Sequence, residues 1–387
     1  MMKNISLLGA SGSVGTSTLK VIRTFPDKFK LVSFGVNSNI QVAKSIIEEF
    51  KPEYATISSP NIDRYFLKDN YQGTPIIYGE EGMVEIVKKS NVDIVVTAVV
   101  GAVGIKPTVE AIQNEKKIAL ANKETMVTFG PYISKLLEKY KKAQIVPVDS
   151  EHNALFQLIE SHGKENIRSL TLTASGGPFR TMPLEEIQNV GVEDALNHPT
   201  WKMGPKITVD SAGMINKALE VIEAHFLFHT PYQDIKVVIH PESIVHGLVE
   251  LKDGAFILYA SHPDMIYPIS HSLFYPEVNA KLLIQREPAS WKNLTFEEVE
   301  NKRYPAFQLA YQAGIQGGTA PAIFNAANEE AVSQFLNKKI RFVDIPALIN
   351  HALQTVPVKS PSNLDEYLEA DTMARITVQE KTKKGNI

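Results

Sequence analysis

The stretch that decides the fold is Ile5-Ser6-Leu7-Leu8-Gly9-Ala10-Ser11-Gly12-Ser13-Val14-Gly15. Its apolar start predicts a strand over residues 5–8, and the residues that follow, 16–24, have a helical pattern. The glycines in between have the spacing G-x-x-G-x-x-G. A glycine-rich turn between a strand and a helix lets backbone N–H groups approach a pyrophosphate. The stretch therefore predicts a dinucleotide-binding site, although three glycines in a tight turn can also be purely structural.

Short β-rich runs alternate with helical patterns as far as about residue 120. We predict strands at residues 5–8, 31–35, 54–57, 93–99 and 117–121, and helices at residues 16–24, 42–50, 81–89 and 106–114. This alternation is typical of βαβ units and hence of a parallel sheet with helices on both faces. The N-terminal part is therefore predicted to be a Rossmann-like α/β domain.

The rest of the chain has a different pattern. We predict strands at residues 170–174, 236–239, 245–251 and 255–260, the last three antiparallel, and helices at residues 153–161, 184–197 and 210–226. Helical patterns then occupy residues 306–313, 320–336, 344–354 and 363–377. The predicted class is α/β, with a dinucleotide-binding domain (1–149), a central α+β catalytic domain (150–275), a connector (276–304) and a C-terminal helical domain (305–387).

Composition excludes several functions. The formal net charge of -3 gives no electrostatic reason to expect nucleic acid or an acidic membrane as a partner. The chain has no cysteine, which excludes disulfides, thiolate metal ligands and a cysteine nucleophile. The apolar run at residues 94–105 is too short to span a membrane, and glycines interrupt it. Since the N-terminus leads directly into a strand pattern, we expect no signal peptide and a cytoplasmic location.

Two carboxylates follow the apolar run at residues 143–148. If that run is a strand, Asp149 and Glu151 lie on the same face of it. Two carboxylates on one face repel each other unless a cation lies between them or solvent screens them. The pair therefore indicates half of a metal site, although it does not prove one.

The other half of this site is predicted on the helix at residues 210–226. Asn216, Lys217 and Glu220 lie three or four residues apart, which places them on one face. An exposed Lys217–Glu220 salt bridge, worth only a few tenths of a kcal/mol, is one interpretation. The other is an amide and an ammonium for a phosphate, beside a third carboxylate for the metal. A set of carboxylate ligands suits Mg²⁺ or Mn²⁺ better than zinc.

Several turns carry further polar groups. Ser175-Gly176-Gly177 follows a strand and offers a hydroxyl and backbone N–H groups to a phosphate, although a tight turn is the simpler interpretation. Ser211 offers a second hydroxyl. The loop from His198 to Gly204 contains Trp201 and predicts a lid over a ligand, or else a minor core contact. A lone loop histidine such as His198 is more often structural than catalytic.

Two further segments lie where a cofactor is expected. Asn122-Lys123-Glu124 follows a strand and is predicted to contact the nicotinamide side and the substrate, or to begin a helix. Asn37-Ser38-Asn39 follows the second strand, where dinucleotide-binding folds contact the adenosine ribose. It has neither an acidic nor a basic residue, and an ordinary polar loop is the alternative. The implied substrate is a phosphorylated polyol or hydroxyketone that a nicotinamide oxidises or reduces.

These motifs together resemble the 1-deoxy-D-xylulose 5-phosphate reductoisomerase family over essentially the whole chain. The stretches that carry the resemblance are Gly9 to Gly15, Ala121 to Glu124, Pro147 to His152, Ala174 to Phe179, His198 to Gly204, and Asn216 to Glu220. The resemblance implies an NADPH-dependent homodimer that converts 1-deoxy-D-xylulose 5-phosphate to 2-C-methyl-D-erythritol 4-phosphate, with the central domain also serving dimerisation. It further implies rearrangement of the carbon skeleton, followed by hydride reduction of an aldehyde.

The resemblance also assigns roles to residues. The metal ligands would be Asp149, Glu151 and Glu220. Substrate contacts would come from Lys123, Ser150, Glu151, Ser175, His198, Ser211, Asn216, Lys217 and Glu220, under a lid formed by Trp201 and Met203. Cofactor contacts would come from Ser11, Gly12, Ser13, Val14, Asn37, Ser38, Asn39, Asn122, Glu124 and Gly204.

The chain departs from the family's usual pattern at a few positions. Ser38 stands where a basic residue is usual, Gly213 where threonine is expected, Ala218 where glycine is usual, and Ile266 where arginine is usual. A divergent paralogue is therefore the alternative. It would act as a metal-dependent sugar-phosphate dehydrogenase or as a weakly active cofactor-binding protein.

Overall fold

The structure, a computed structural model, describes residues 2–59, 69–201, 203–279, 281, 284, 287 and 290–385. Lys202 in the predicted lid loop and several positions of the predicted connector lie outside these residues. The chain divides into two compact units. The first unit comprises Met1–Thr125, Ile133–Asn153 and Asp264–Gln285, and the second comprises Met126–Tyr132, Ala154–Pro263 and Arg286–Ile387. The domain boundaries proposed from the sequence stay a prediction.

Strands and helices largely alternate through the first part of the chain, and helices make up most of its last part. The strands are β1 Lys3–Leu8, β2 Phe29–Val36, β3 Tyr54–Ile57, β4 Asn70–Tyr71, β5 Thr74–Tyr78, β6 Ile94–Thr97, β7 Lys117–Leu120, β8 Gln144–Pro147, β9 Ile167–Ala174, β10 Ile235–Ile239, β11 Val245–Leu251 and β12 Phe256–Ala260. The α-helices are α1 Ser13–Thr24, α2 Ile40–Phe50, α3 Glu80–Val87, α4 Ile105–Gln113, α5 Lys123–Lys139, α6 Ser150–His162, α7 Val192–Leu196, α8 Pro205–Ala212, α9 Ile215–Phe228, α10 Ile266–Phe274, α11 Pro305–Gln316, α12 Ala320–Leu336, α13 Asp344–Thr355 and α14 Leu364–Lys383.

The first unit contains a sheet in the order β4-β5-β3-β2-β1-β6-β7-β8. All its pairings are parallel except that of β4 with β5, so the predicted N-terminal parallel sheet is confirmed. The central strands are nearly continuous apolar runs because both faces of a parallel sheet are covered. Leu8 at the end of β1 is in register with Gly35 and Thr97 at the ends of its two neighbours. The turns that follow these strands therefore meet at one edge of the sheet.

The second unit contains a smaller sheet in the order β10-β9-β11-β12. β11 is antiparallel to both of its neighbours, as predicted, but β10 is parallel to β9, so the expectation of an antiparallel β10 was wrong. The reason lies in the connection: a long segment with several helices joins β9 to β10, and such crossovers suit parallel pairing. Helices α11 to α14 form the predicted helical C-terminal region, and α12 begins and ends where the sequence indicated.

Two predicted helices are in fact broken. The helix expected over residues 210–226 is divided into α8 and α9 at Gly213 and Met214, and Met214 has a left-handed φ of 57°. The acidic helix expected over residues 184–197 is a 3-10 turn, Ile187–Asn189, followed by the short α7. Gly191 between them is fully extended, with φ -95° and ψ -179°, which interrupts a helix.

Helix α9 also differs from the amphipathic helix that the apolar stripe predicted. Most of its residues are buried, including Lys217, Glu220 and Glu223, because it packs against β9, β10 and α11. A helix that is buried nearly all round belongs to a core and not to a surface. None of the described helices is both long enough and apolar enough to cross a lipid bilayer.

A partly buried cation and a partly buried histidine attach α10 to the sheet of the first unit. Lys117 Nζ donates to the carbonyl oxygens of Leu273 and Tyr275, at 3.1 and 2.5 Å, where α10 ends. Burial lowers the pKa of Lys117 to about 8. Burial, with a smaller effect of Lys117, lowers the pKa of His271 to about 4. Asn153 Nδ2 lies 3.0 Å from His271 Nδ1, and an amide N–H there requires an unprotonated acceptor.

We predict that His271 makes the folded state less stable in acid. Between its ordinary pKa of 6.5 and about 4, the unfolded chain binds a proton that the folded chain does not. Stability is therefore lost as the pH falls through this window, by on the order of 1 to 3 kcal/mol in total. Urea denaturation across the window should show a shallower loss for His271→Gln than for the wild type. His351→Gln is the control. If the free energy of unfolding of His271→Gln depended on pH as steeply as that of the wild type, His271 would not be the cause of the loss in acid.

Candidate active site

The glycine turn after β1 is the first part of the site. A Cβ atom on Gly15 would lie 2.3 Å from the Gly9 carbonyl oxygen, and one on Gly9 would lie 2.3 Å from that of Ala98. These two glycines allow close backbone packing. A Cβ on Gly12 would meet nothing closer than 3.5 Å, and Ser11, Gly12 and Ser13 are exposed. The turn therefore combines both interpretations: its outer glycines are structural, and its central one leaves the backbone accessible to a ligand.

The loop after β2 is exposed at Asn37, Ser38 and Asn39. Asn39 has a structural role as the N-cap of α2, since its side chain accepts a hydrogen bond from Val42 N–H at 3.1 Å. The Asn39 amide group keeps its own N–H donors for other partners.

The segment after β7 is held by buried hydrogen bonds. Asn122 Nδ2 donates to the carbonyl oxygens of Val99 and Gly101, at 3.0 and 3.1 Å, and to Glu124 Oε2 at 2.9 Å. Asn122 directly precedes α5, which begins at Lys123, so the helix-start interpretation is correct at this point. The amide fixes the loop that follows β6 at the carboxyl edge of the sheet, where both predicted cofactor residues, Asn122 and Glu124, are placed.

Asp149 and Glu151 do not lie on a strand. β8 ends at Pro147 and α6 begins at Ser150, so the argument from alternating strand faces was wrong. Asp149 precedes the helix, and Glu151 is in its first turn. Lys123 forms an ion pair with Asp149, and Ser150 Oγ donates to Glu151 Oε2 at 2.6 Å. The structure thus places four predicted residues of the first unit together: Lys123, Asp149, Ser150 and Glu151. The Lys123 ammonium provides the positive charge in this group.

The turn after β9 presents Ser175 in the second unit. Gly176 and Gly177 both have left-handed backbones, with φ of 82° and 68°. A Cβ on Gly177 would lie 2.5 Å from the Ser211 carbonyl oxygen and 2.9 Å from Ala212 Cα. Only glycine allows the turn to approach the end of α8 so closely, which brings Ser175 and Ser211 to the same place.

His198 joins these two serines. Its Nε2 lies 3.0 Å from Ser175 Oγ and 3.1 Å from Ser211 Oγ. Its Nδ1 accepts backbone N–H bonds from Thr200 at 3.2 Å and Trp201 at 2.9 Å. Because Nδ1 is an acceptor, the imidazole is neutral with its proton on Nε2. Burial lowers the pKa of His198, which favours the same neutral form.

Helix α9 carries the third group of the second unit. Lys217 Nζ lies 2.5 Å from Glu220 Oε2, and Asn216 Nδ2 donates to Glu220 Oε1 at 2.7 Å. The two charged side chains are only 4% and 1% exposed, so the interpretation as a surface salt bridge was wrong. A buried ion pair is weak evidence for stability and, in such a setting, is more typical of a functional site.

Sequence reasoning missed three residues that surround these groups. Asp210, which is fully buried, accepts from Asn328 Nδ2 on α12 at 2.9 Å and pairs with Lys206 Nζ at 2.8 Å, which fixes the helix that carries Ser211. The ring of Trp201 lies edge-on to that of His246, with 6.4 Å between centroids. Asp210 could have been suspected from its place beside Ser211, whereas no local signal marks Asn328 or His246.

Comparison with known proteins gives matches along the chain. The family model described as 1-deoxy-D-xylulose 5-phosphate reductoisomerase matches residues 5–130, and two models of C-terminal domains of the same enzyme match residues 145–228 and 260–377. The 1-deoxy-D-xylulose 5-phosphate reductoisomerase of Leptospira biflexa serovar Patoc is 57% identical over 386 residues, which is 100% of both chains. That of a Geobacillus species is 47% identical over 97% of this chain and 98% of its own.

Solved structures of the same enzyme also match almost the whole chain. The reductoisomerase from Zymomonas mobilis in complex with NADPH has a TM-score of 0.90 and 34% identity over 99% of each chain. A DOX-P reductoisomerase in complex with NADPH, fosmidomycin and magnesium has a TM-score of 0.92 and 36% identity over 99% of this chain and 98% of its own.

We predict that Gly177→Ala destabilises the fold far more than Gly254→Ala. Both glycines have a left-handed φ, 68° and 90°, but a Cβ on Gly254 would meet nothing within 4 Å. Gly254→Ala should therefore cost only the backbone strain, about 1 kcal/mol. Gly177→Ala should cost at least about 2 kcal/mol more, because its Cβ meets backbone that cannot move aside. The free energies of unfolding in urea test this, and equal losses would show that the turn has room to relax.

Proposed function

Because the chain belongs to the 1-deoxy-D-xylulose 5-phosphate reductoisomerase family, we infer that it is an NADPH-dependent oxidoreductase with the reaction of that family. It converts 1-deoxy-D-xylulose 5-phosphate to 2-C-methyl-D-erythritol 4-phosphate, a step of isoprenoid precursor synthesis. The comparisons give no support to the alternative of a divergent dehydrogenase or a weakly active cofactor-binding protein. A cytoplasmic location stays a prediction.

The observation that carries the proposal is the buried polar group on α9. An amide, an ammonium and a carboxylate lie side by side at Asn216, Lys217 and Glu220, and the two charged groups are buried. Such a group combines a positive charge for a phosphate with an anionic oxygen ligand for a cation, which are the two features that a chelated sugar phosphate requires.

The proposed metal ligands are Asp149, Glu151 and Glu220. The donor set consists of carboxylate oxygens, which fits a hard divalent cation, and homologous structures contain magnesium. Manganese as an alternative is part of the proposal. When bound, the ion supplies Lewis-acid stabilisation of negative charge on substrate oxygens. In this proposal the Lys123 ammonium, beside Asp149, and the Ser150 hydroxyl, beside Glu151, bind and orient those oxygens.

The proposed NADPH contacts begin at the turn after β1. The exposed Ser11, Gly12 and Ser13 fit a pyrophosphate at the N-terminus of α1, followed by Val14. Asn37, Ser38 and Asn39 would offer hydroxyl and amide groups to the 2′-phosphate. Asn122, Glu124 and Gly204 complete the proposed set.

The proposed phosphate contacts are Ser175, Ser211, Asn216 and Lys217, with His198 between the two serines. Since the backbone N–H groups of Thr200 and Trp201 are bound to His198 Nδ1, the histidine also anchors the start of the loop that carries Trp201 and Met203. This supports the role of the loop as a lid that excludes water from the reacting substrate.

One assay tests the function. Purified protein with NADPH, 1-deoxy-D-xylulose 5-phosphate and Mg²⁺ or Mn²⁺ should oxidise NADPH, and NADPH should be preferred to NADH. Glu220→Gln should lower kcat by at least about 100-fold, because it removes a negative charge from the proposed ligand set. No NADPH oxidation by the wild type with either metal would overturn the proposal.

The control for Glu220→Gln is Glu250→Gln. Glu250 is also a buried carboxylate, 8% exposed, and it pairs with Lys236 Nζ at 2.9 Å outside the proposed site. Its replacement should leave kcat within about twofold. A comparable loss in both variants would indicate general damage to the fold in place of a lost metal ligand.

We also propose a homodimer formed through the smaller sheet. In the part of the chain that the structure describes, β12 pairs only with β11, and it exposes Phe256 and Leu258 at 58% and 43%. An exposed apolar edge strand favours association with a second copy. Light scattering should give the mass of a dimer for the wild type and of a monomer for Leu258→Lys. The control, Leu196→Lys on α7, should remain a dimer, and an unchanged Leu258→Lys dimer would place the interface elsewhere.

A further inference from the structure

We propose that Tyr304 is a positioning residue for the substrate phosphate, because its hydroxyl fixes the peptide group that orients Ser175. The inference rests on the function proposed above, in which Ser175 binds this phosphate. Tyr304 directly precedes α11 and is 1% exposed. Its hydroxyl donates to the Gly176 carbonyl oxygen at 2.8 Å.

The geometry of one peptide group links Tyr304 to Ser175. The Gly176 carbonyl and the Gly177 N–H belong to the same peptide unit, which is planar and rigid. Tyr304 binds the carbonyl end, and the N–H end donates to Ser175 Oγ at 3.3 Å. A rotation of this peptide group would therefore move the donor that orients the serine hydroxyl.

The turn at Gly176 and Gly177 needs a hydrogen-bond partner from outside the turn to fix its conformation. Gly176 and Gly177 are two consecutive glycines, and glycine has more accessible backbone conformations than any other residue. The observed pair of left-handed conformations must be selected by contacts from outside the turn. Burial raises the pKa of Tyr304 to about 12, so the hydroxyl keeps its proton at any physiological pH.

Neighbouring residues hold the rest of this segment in the same way. Arg303 Nη1 donates to the carbonyl oxygens of Phe179 and Met182, at 3.0 and 2.5 Å. Arg180 pairs with Glu297 Oε1 at 2.7 Å. These polar contacts secure the chain after the turn, whereas Tyr304 donates a hydrogen bond to the turn itself.

Tyr311 provides a matched control. It lies on α11, and its hydroxyl donates to the Ile235 carbonyl oxygen at 2.6 Å, at the start of β10 and away from the turn. Burial also raises its pKa to about 12. Tyr304→Phe and Tyr311→Phe therefore each remove one hydrogen bond from a phenol to a backbone carbonyl, with no change in ring volume; the phenol is buried at Tyr304 and partly buried at Tyr311.

The experiment compares the steady-state kinetics of the two variants. Tyr304→Phe should raise the KM for 1-deoxy-D-xylulose 5-phosphate and the inhibition constant of inorganic phosphate, each about three- to tenfold, which corresponds to one lost hydrogen bond. Its kcat and its KM for NADPH should stay within about twofold. Tyr311→Phe should change none of these constants, although both variants should melt at a similar, lower temperature.

An unchanged KM in Tyr304→Phe, or an equal rise in both variants, would overturn the inference. An inactive wild type would instead overturn the proposed function. In that case the binding of inorganic phosphate, measured by calorimetry in the wild type and both variants, still decides the role of Tyr304. Weaker binding in Tyr304→Phe alone supports it, and equal binding in all three proteins refutes it.

Discussion

The burial of the Glu220 carboxylate is the constraint on which the second unit depends. An ionised carboxylate that is 1% exposed loses its hydration, at a cost of several kcal/mol unless other groups replace the water. Lys217 and Asn216 do so from the same helix, one at each carboxylate oxygen. Replacement of a buried ion pair by apolar residues of similar volume is often neutral or stabilising. The stability of the fold therefore does not require this arrangement, which agrees with the binding role proposed for it.

The two units hold their glycine-rich turns in different ways. Both turns follow a buried strand and are rich in glycine, but the turn after β1 leads directly into a helix. Gly15 in the first turn of α1 packs on the Gly9 carbonyl, so the helix itself fixes that turn. The turn after β9 leads into no helix and is instead held by Tyr304 and by the close approach of Gly177 to α8. A turn without a following helix needs side chains from distant parts of the chain to fix it.

Sequence patterns correctly predicted those structural features that depend on neighbouring residues in the chain. The parallel sheet followed from alternating strand and helix periods, and α12 from a continuous helical pattern without breakers. The break at Met214 was missed because a single left-handed residue leaves the apolar spacing almost unchanged. The parallel pairing of β10 and the burial of Lys217 with Glu220 depend on which segments pack together. Neither can be derived from the residues near them in the sequence.

The candidate site likewise combines features that the sequence predicts with features that only the folded structure shows. Candidate residues were identified by type and by their position after strands, but of their partners only the Lys217–Glu220 pair was foreseen. For Asp149 and Glu151 the strand argument failed because the helix starts one residue after Asp149, and the Lys123 ion pair was not foreseen. Asn328 lies more than a hundred residues from the Asp210 side chain that it binds, so only the folded structure connects them.

His198 shows that structural and functional roles need not exclude each other. Its Nδ1 holds the backbone of the loop that carries Trp201, which is the structural role expected of a lone histidine. That acceptor role forces the proton onto Nε2, which then donates toward Ser175 Oγ and Ser211 Oγ. Since Nε2–H cannot accept a hydrogen bond, neither serine donates its hydroxyl proton to the ring. Both hydroxyl protons can therefore be directed at an anion, so the same tautomer that anchors the loop also leaves the two serines in the state that the proposed phosphate contacts require.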